Sequence, residues 1–373
     1  MAWDEIVPRI RASDSTLTAL DLHFMDIGAE GAARVAEALE HNSTLAAVHL
    51  GLNTLGSAGV GAVAAALARN CALTTLTTLD LYRNNMGDDG VGRLSEALRA
   101  GSCSTLLTLN LRDNEIGDCG ASRLASALSQ NSTLTTLVLS GNEIRAEGAG
   151  QVAELIAMSR PPLIELHVDD NKMGDWGAIQ IAVAAASSST LSDLNCSDND
   201  IGASGARTLA EVLPRSTCLT ELDISYNGLG DLGAGAVANA LASKLCTLNL
   251  AATGIGPSGA RFMAEALVRN CSLTTLNLSA NEIGARGVLS VAGALGANFN
   301  SALTVLNLCA NGLGDEGAMA AEKLAADTAL RELHLRDNKI SSAGSASIAG
   351  LLACHSLLVL GERHLIAQPP PPD

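Results

Sequence analysis

Two hydrophobic rhythms alternate along the whole chain. Leu-x-Leu segments such as Leu79-Asp80-Leu81 and Leu276-Asn277-Leu278 place apolar and polar residues in turn, the pattern of a short strand with one buried face. A glycine-bearing turn follows each. The period then becomes helical, as in Val35 with Leu39, Leu94 with Leu98, and Leu209 with Leu213, each pair four residues apart on one helix face. The chain therefore predicts strand, turn and helix, repeated many times.

Twelve units open at Leu17, Leu45, Leu76, Leu106, Leu134, Leu163, Leu191, Leu219, Leu245, Leu273, Leu303 and Leu330 with the pattern L-x-x-L-x-L-x-x-N-x-I/L-G-x-x-G. They are 26 to 31 residues apart, and a decayed unit begins near Leu357. Each repeat of a solenoid buries its apolar face on its neighbours, so the core lengthens instead of thickening. That accounts for a 373-residue chain without division into ordinary globular cores, which stop growing near ~250 to 300 residues. The expected organisation is an N-terminal cap over 1–16, twelve repeats over 17–356, and a partial repeat with a proline-rich tail over 357–373. Trp3, Ile6, Val7 and Ile10 form an amphipathic stretch expected to cap the exposed edge of the first strand.

Asparagine stands ninth in ten of the twelve units, from Asn53 and Asn84 to Asn311 and Asn338, with Met25 and Thr253 as the exceptions. An amide can both donate and accept, so these side chains are expected to satisfy backbone groups of adjacent turns rather than to carry chemistry. Glycine stands fifteenth in all twelve. Glycine in a helix costs roughly 0.5 to 1 kcal/mol against alanine. Its recurrence predicts a close helix approach that a Cβ would block.

These residues together resemble the ribonuclease-inhibitor-like class of leucine-rich repeats, over roughly Leu17 to Leu360. The resemblance implies an α/β leucine-rich-repeat solenoid, an open horseshoe with parallel strands on its concave face and helices on its convex face. The same repeat type occurs in ribonuclease inhibitors, NOD-like receptors, Ran GTPase-activating proteins and ciliary regulatory-complex subunits, so likeness leaves function open.

Composition narrows the choice. Hydrophobic residues are 47% but aromatics only 2%, so the core is built from Leu, Ala, Val and Ile. A formal charge of −16 argues against nucleic acid, whose binding needs clustered Lys and Arg, and favours a protein partner with a basic surface. The start MAWDEIVPRIRASD has no apolar run after a basic stretch, and no later segment approaches the ~20 apolar residues of a membrane span. A soluble, cytoplasmic protein is expected. Nine cysteines without a CxxC pair fit reduced thiols; Cys196 replaces a core leucine, while Cys71 and Cys271 precede strands.

Motifs that suggest chemistry dissolve into the repeat. Gly228–Gly233, Gly254–Gly259 and Gly312–Gly317 each read G-x-G-x-x-G, but sister repeats have Asn142-Glu143-Ile144-Arg145 or Asn199-Asp200-Ile201-Gly202 in the same frame. There is no phosphate-binding G-x-x-x-x-G-K-[ST] loop and no HExxH. His23, His49, His167 and His334 fall in separate repeats and read as surface residues. No enzyme activity, cofactor or metal is expected.

Positions between and just after the strand leucines project from the sheet. Glu165, Asp169, Asp170, Asp193, Asp198, Glu221 and Asp223 occupy them in three successive repeats, and no Lys or Arg shares these positions there. Glu165, Asp193 and Glu221 share one repeat position, and neighbouring strands lie ~4.8 Å apart. Like charges at about 5 Å repel by ~0.8 kcal/mol in water and ~3 kcal/mol at an effective dielectric of 20, so the row needs solvent or a facing positive charge. Tyr226 stands at its edge as an aromatic anchor. Tyr82, Arg83 and Arg112 form a second candidate patch, Tyr and Arg being enriched in interface hot spots. The expected function is an intracellular scaffold that holds a basic protein partner on this surface. The alternatives are a GTPase activator for a Ran-like GTPase, against which the terminal Gln368-Pro-Pro-Pro-Pro-Asp373 replaces the usual acidic run, and a structural subunit of a ciliary or receptor assembly.

Overall fold

The structure is a computed structural model that describes residues 3–70, 72–99, 104–241, 244–295, 302–327, 330–346 and the backbone of Leu358–Leu360. Cys71 and the proline-rich end therefore lie outside the described residues. The chain divides into two compact units, Met1–Asn199 and Asp200–Asp373.

In the first unit the strands are β1 (Ala19–Asp21), β2 (Ala47–His49), β3 (Thr78–Asp80), β4 (Thr108–Asn110), β5 (Thr136–Val138), β6 (Glu165–His167) and β7 (Asp193–Asn195). They alternate with helices α2 (Gly28–Leu39), α3 (Gly56–Arg69), α4 (Gly87–Arg99), α5 (Asp118–Leu128), α6 (Ala146–Met158) and α7 (Gly174–Ser187), preceded by a short α1 (Val7–Arg11). The second unit carries β8 (Glu221–Asp223), β9 (Thr247–Asn249), β10 (Thr275–Asn277), β11 (Val305–Asn307), β12 (Glu332–His334) and β13 (Leu358–Leu360). Its helices are α8 (Ala203–Val212), α9 (Gly230–Ala240), α10 (Pro257–Leu267), α11 (Gly284–Leu295) and α12 (Gly314–Asp327). Within each unit every strand pairs in parallel with the next, and one of these helices connects each pair up to β12. This is the leucine-rich-repeat solenoid that the periodicity predicts.

Register follows the apolar spacing. The middle residue of each strand is apolar and faces its counterpart, Leu20 with Val48 and Leu79 with Leu109, and the residue two further on, such as Leu50 or Leu81, is buried with it. Shifting a strand by one residue would turn this set outward, so burial fixes the pairing. The helical pairs are buried as expected: Val35, Leu39, Leu94, Leu98, Leu209 and Leu213. Leu213 lies just beyond the α-helix. Helix α8 stops at Val212, and Leu213, still helical in its backbone angles at φ −52° and ψ −40°, opens a 3-10 turn, Leu213–Arg215, in which Pro214 has no N–H to donate. At the N-terminus Val7 and Ile10 are buried where α1 packs against α2. The Arg34 guanidinium of α2 lies 4.9 Å from the Trp3 ring centroid.

The asparagines form the expected backbone ladder. Asn53 Nδ2 donates to the carbonyls of Leu22, Leu50 and Gly51, and its Oδ1 accepts from the N–H groups of Met25 and Ile27. One amide thus ties two repeats together where neither strand nor helix hydrogen bonds reach. The fifteenth-position glycines mark close helix approach: a Cβ on Gly59 would lie 3.1 Å from the Ala29 Cα of the preceding helix.

A further device ties the helices. The helices α5, α6 and α10 have no side-chain cap from Gly117, Arg145 or Gly256, the residues that open them. An aspartate from the preceding repeat caps them instead. Asp88 accepts from the N–H groups of Gly117 and Gly120, Asp118 from Arg145 and Gly148, and Asp231 from Gly256 and Gly259. These groups would otherwise be orphan donors of a first helical turn.

Candidate interaction surface

The strand side of each unit is built from three kinds of position. Strand residues flanking the buried middle one are half-exposed or exposed, the second residue beyond the strand lies beside them, and the third turns into left-handed backbone. That third residue has positive φ in every repeat, including Phe24 at 55°, Arg83 at 53°, Asp170 at 53°, Asp198 at 50° and Tyr226 at 54°. Most of these residue types avoid that region. The N–H groups of Phe24, Arg83, Asp170 and Tyr226 donate to carbonyls of the next repeat, and the side chains of Phe24 and Tyr226 project outward, 81% and 62% exposed.

A second recurring feature fixes the turn. Asp or Asn at the last strand position accepts the N–H two residues on, as Asp80 does from Tyr82, Asn110 from Arg112 and Asp223 from Ser225. Asp223 also accepts from the Ser225 hydroxyl and the Asn249 amide. This candidate acid is therefore engaged in structure on β8 rather than presented freely.

Within the first unit Glu165 pairs in register with Asp193 across β6 and β7. Both are half-exposed, and Asp170 and Asp198 beside them are exposed. Thr136 Oγ1 contacts Glu165 at 3.3 Å. Glu221 stands exposed on β8 of the second unit, with Tyr226 five residues on.

One expectation changes. Asp169 is not an unopposed acid: Arg112 Nη1 lies 3.7 Å from its Oδ2, and the Ser140 hydroxyl donates to its Oδ1 at 2.6 Å. Arg112, placed by sequence in a separate patch, belongs with the acidic one. Tyr82 is half-buried and Arg83 exposed, and the Arg83 backbone N–H donates to the Arg112 carbonyl at 2.8 Å.

The histidines also differ from the expectation of separate surface residues. In register, Asp21, His49 and Asp80 form a row across β1, β2 and β3. His23, two residues beyond β1, brings Nε2 to 3.0 Å from Asp80 Oδ2 and Nδ1 to 3.0 Å from Asp21 Oδ1. His49 Nδ1 is 3.7 Å from the same Asp80 oxygen. The backbone N–H of His23, with its imidazole adding to the effect, holds the Asp21 carboxyl below the ordinary range. Aligning the repeats position by position, instead of counting histidines repeat by repeat, would have placed Asp21, His49 and Asp80 in one row, though not the His23 contact across it.

A repeating parallel strand and helix with an asparagine ladder defines a leucine-rich-repeat protein. The family model for the "Leucine Rich repeat" matches residues 41–64, 72–95, 102–125, 130–153, 187–210, 215–238, 269–292, 299–320 and 327–349, more than half of the sequence. The chain belongs to the leucine-rich repeat family. No curated protein matches it in sequence. Among solved structures it is similar to a chain of the TLR13–ssRNA13 complex, with 20% identity and a TM-score of 0.51, covering 83% of this chain and 38% of that one. It is also similar to a chain of the yeast Rad7 and Elc1 complex, with 14% identity and a TM-score of 0.55, covering 97% and 88% respectively. Likeness at these identities is one of fold. Among the described residues no helix is long and apolar enough to cross a membrane.

Proposed function

We propose that this chain is a protein-interaction scaffold of the ribonuclease-inhibitor-like class that binds a basic segment of a partner on its strand side. The observation that carries the reading is the in-register pair Glu165 and Asp193, flanked by exposed Asp170 and Asp198, on a chain of net charge −16. Paired carboxylates on adjacent strands repel, and a docked Lys or Arg relieves that repulsion. The same charge balance favours a protein over a nucleic acid as partner.

On this reading the chain is a binding protein with no reaction of its own. Native affinity purification with crosslinking tests it: a stable protein partner, crosslinked at strand-side residues, is the expected product. Recovery of no partner, or crosslinks confined to the helix side, would contradict the proposal. Stimulated hydrolysis by a Ran-like GTPase would contradict the non-catalytic reading.

A further inference from the structure

We propose that His23, His49 and Asp80 form a binding site for one divalent transition-metal ion, with zinc as the preferred occupant. Their donor atoms all lie within 4.8 Å of one another. Two donors bonded to one zinc at ~2.0 to 2.2 Å stand about 3.3 to 3.5 Å apart in tetrahedral geometry. The separations from Asp80 Oδ2, 3.0 Å to His23 Nε2 and 3.7 Å to His49 Nδ1, bracket that value.

The surrounding contacts orient the donors. Asp80 Oδ1 accepts the Tyr82 N–H at 3.0 Å, which leaves Oδ2 as the oxygen shared by both imidazoles. Asp21 faces His23 Nδ1 at 3.0 Å, so a ring that ligates through Nε2 has a carboxylate to accept its remaining N–H. A carboxylate behind a ligating imidazole is the usual outer support of a zinc histidine. Gly51 supplies the room. A Cβ at that position would lie 2.5 Å from His23 Cδ2 and 2.7 Å from Nε2, so any side chain there would push the ring off its path to Asp80.

Two imidazoles and a carboxylate suit zinc, whereas calcium and magnesium prefer all-oxygen shells. All three residues are only partly buried, which leaves a fourth coordination position open to water or to a donor from a bound protein.

Titration of the full chain with Zn2+ in a calorimeter, and with Co2+ by visible absorption, tests the proposal. The expected result is one equivalent bound, with a tetrahedral cobalt spectrum lacking the near-ultraviolet band of thiolate ligation. His49→Ala and Asp80→Asn should abolish it while the circular dichroism of the fold is unchanged. Asp21→Asn should weaken binding ~10 to 100-fold through loss of the outer support. Gly51→Ala removes no donor, yet should weaken binding as well. The absence of stoichiometric binding, a thiolate spectrum, or affinity unaffected by His49→Ala would overturn the site.

Discussion

Arg112 and Asp169 form an ion pair that skips a repeat, with 3.7 Å between Nη1 and Oδ2 and Ser140 of the intervening repeat donating to the same carboxylate. The strand side is therefore connected laterally, and part of its acidity is already compensated from within the chain. Because the arginine is well exposed, Arg112→Gln should change unfolding stability by less than ~1 kcal/mol. It should tighten binding of a basic partner, because Asp169 then loses its internal cation. Unaltered or weaker affinity in a calorimetric titration would contradict this.

Strand direction can be tested by a pair of neighbours. Leu194 is fully buried, whereas Asp193 is half-exposed. Leu194→Ala should cost ~2 to 5 kcal/mol by opening a cavity in the core, and Asp193→Ala should cost little. Equal losses in denaturant unfolding would refute the assignment of inward and outward faces.

The interruption of the asparagine ladder at Thr253 is repairable. Its hydroxyl donates to the Leu250 carbonyl, while a regular ladder amide such as Asn53 donates to carbonyls of two repeats. Thr253→Asn should stabilise the second unit by about 0.5 to 1.5 kcal/mol through the regained hydrogen bonds. A lower melting temperature would contradict the prediction.

The inter-repeat caps make a separate prediction. Asp118→Ala strips acceptors from the Arg145 and Gly148 N–H groups at the start of α6 and should cost ~0.5 to 2 kcal/mol. Asp118→Asn should retain most of that. If both variants unfold like the parent, the caps contribute nothing measurable.

Near the N-terminus Asp14 accepts hydrogen bonds from the Thr16 hydroxyl and N–H and from Arg9, and its pKa is lowered to about 2. The folded value lies below the unfolded one, ~3.9 for Asp. Its contribution to stability is thus present above the unfolded value and lost as pH falls through about 2. A carboxyl-carbon NMR titration should give that midpoint, and Thr16→Val should raise it. A midpoint in the ordinary carboxylate range would refute the contacts.

The repeat, its strand and helix faces, the asparagine ladder and the glycine packing were legible because each recurs at a fixed position under one physical constraint. The left-handed strand-side residue was not, since Phe24, Leu52, Arg83 and Tyr226 fill it and glycine takes the position only at Gly141. The Asp88, Asp118 and Asp231 caps look like ordinary helix-start acids until the neighbouring helix is placed beside them. The His23 contact was hidden for the same reason. It joins residues 57 apart and depends on Gly51, a position that alone reads only as a strand-end glycine.

The central claim is that the acidic strand side of the first unit recognises a basic segment. The most direct measurement is the affinity of the recovered partner for the parent and for Glu165→Lys with Asp193→Lys, each followed across a salt series. Glu221→Lys, alone on β8, serves as a separate arm for the second unit. The parent should lose affinity as salt rises, because exposed charge pairs are screened within ~8 to 10 Å at these ionic strengths. The double reversal should weaken binding at low salt and flatten its salt dependence while the fold stays intact. Affinity and salt dependence equal to those of the parent would contradict the account.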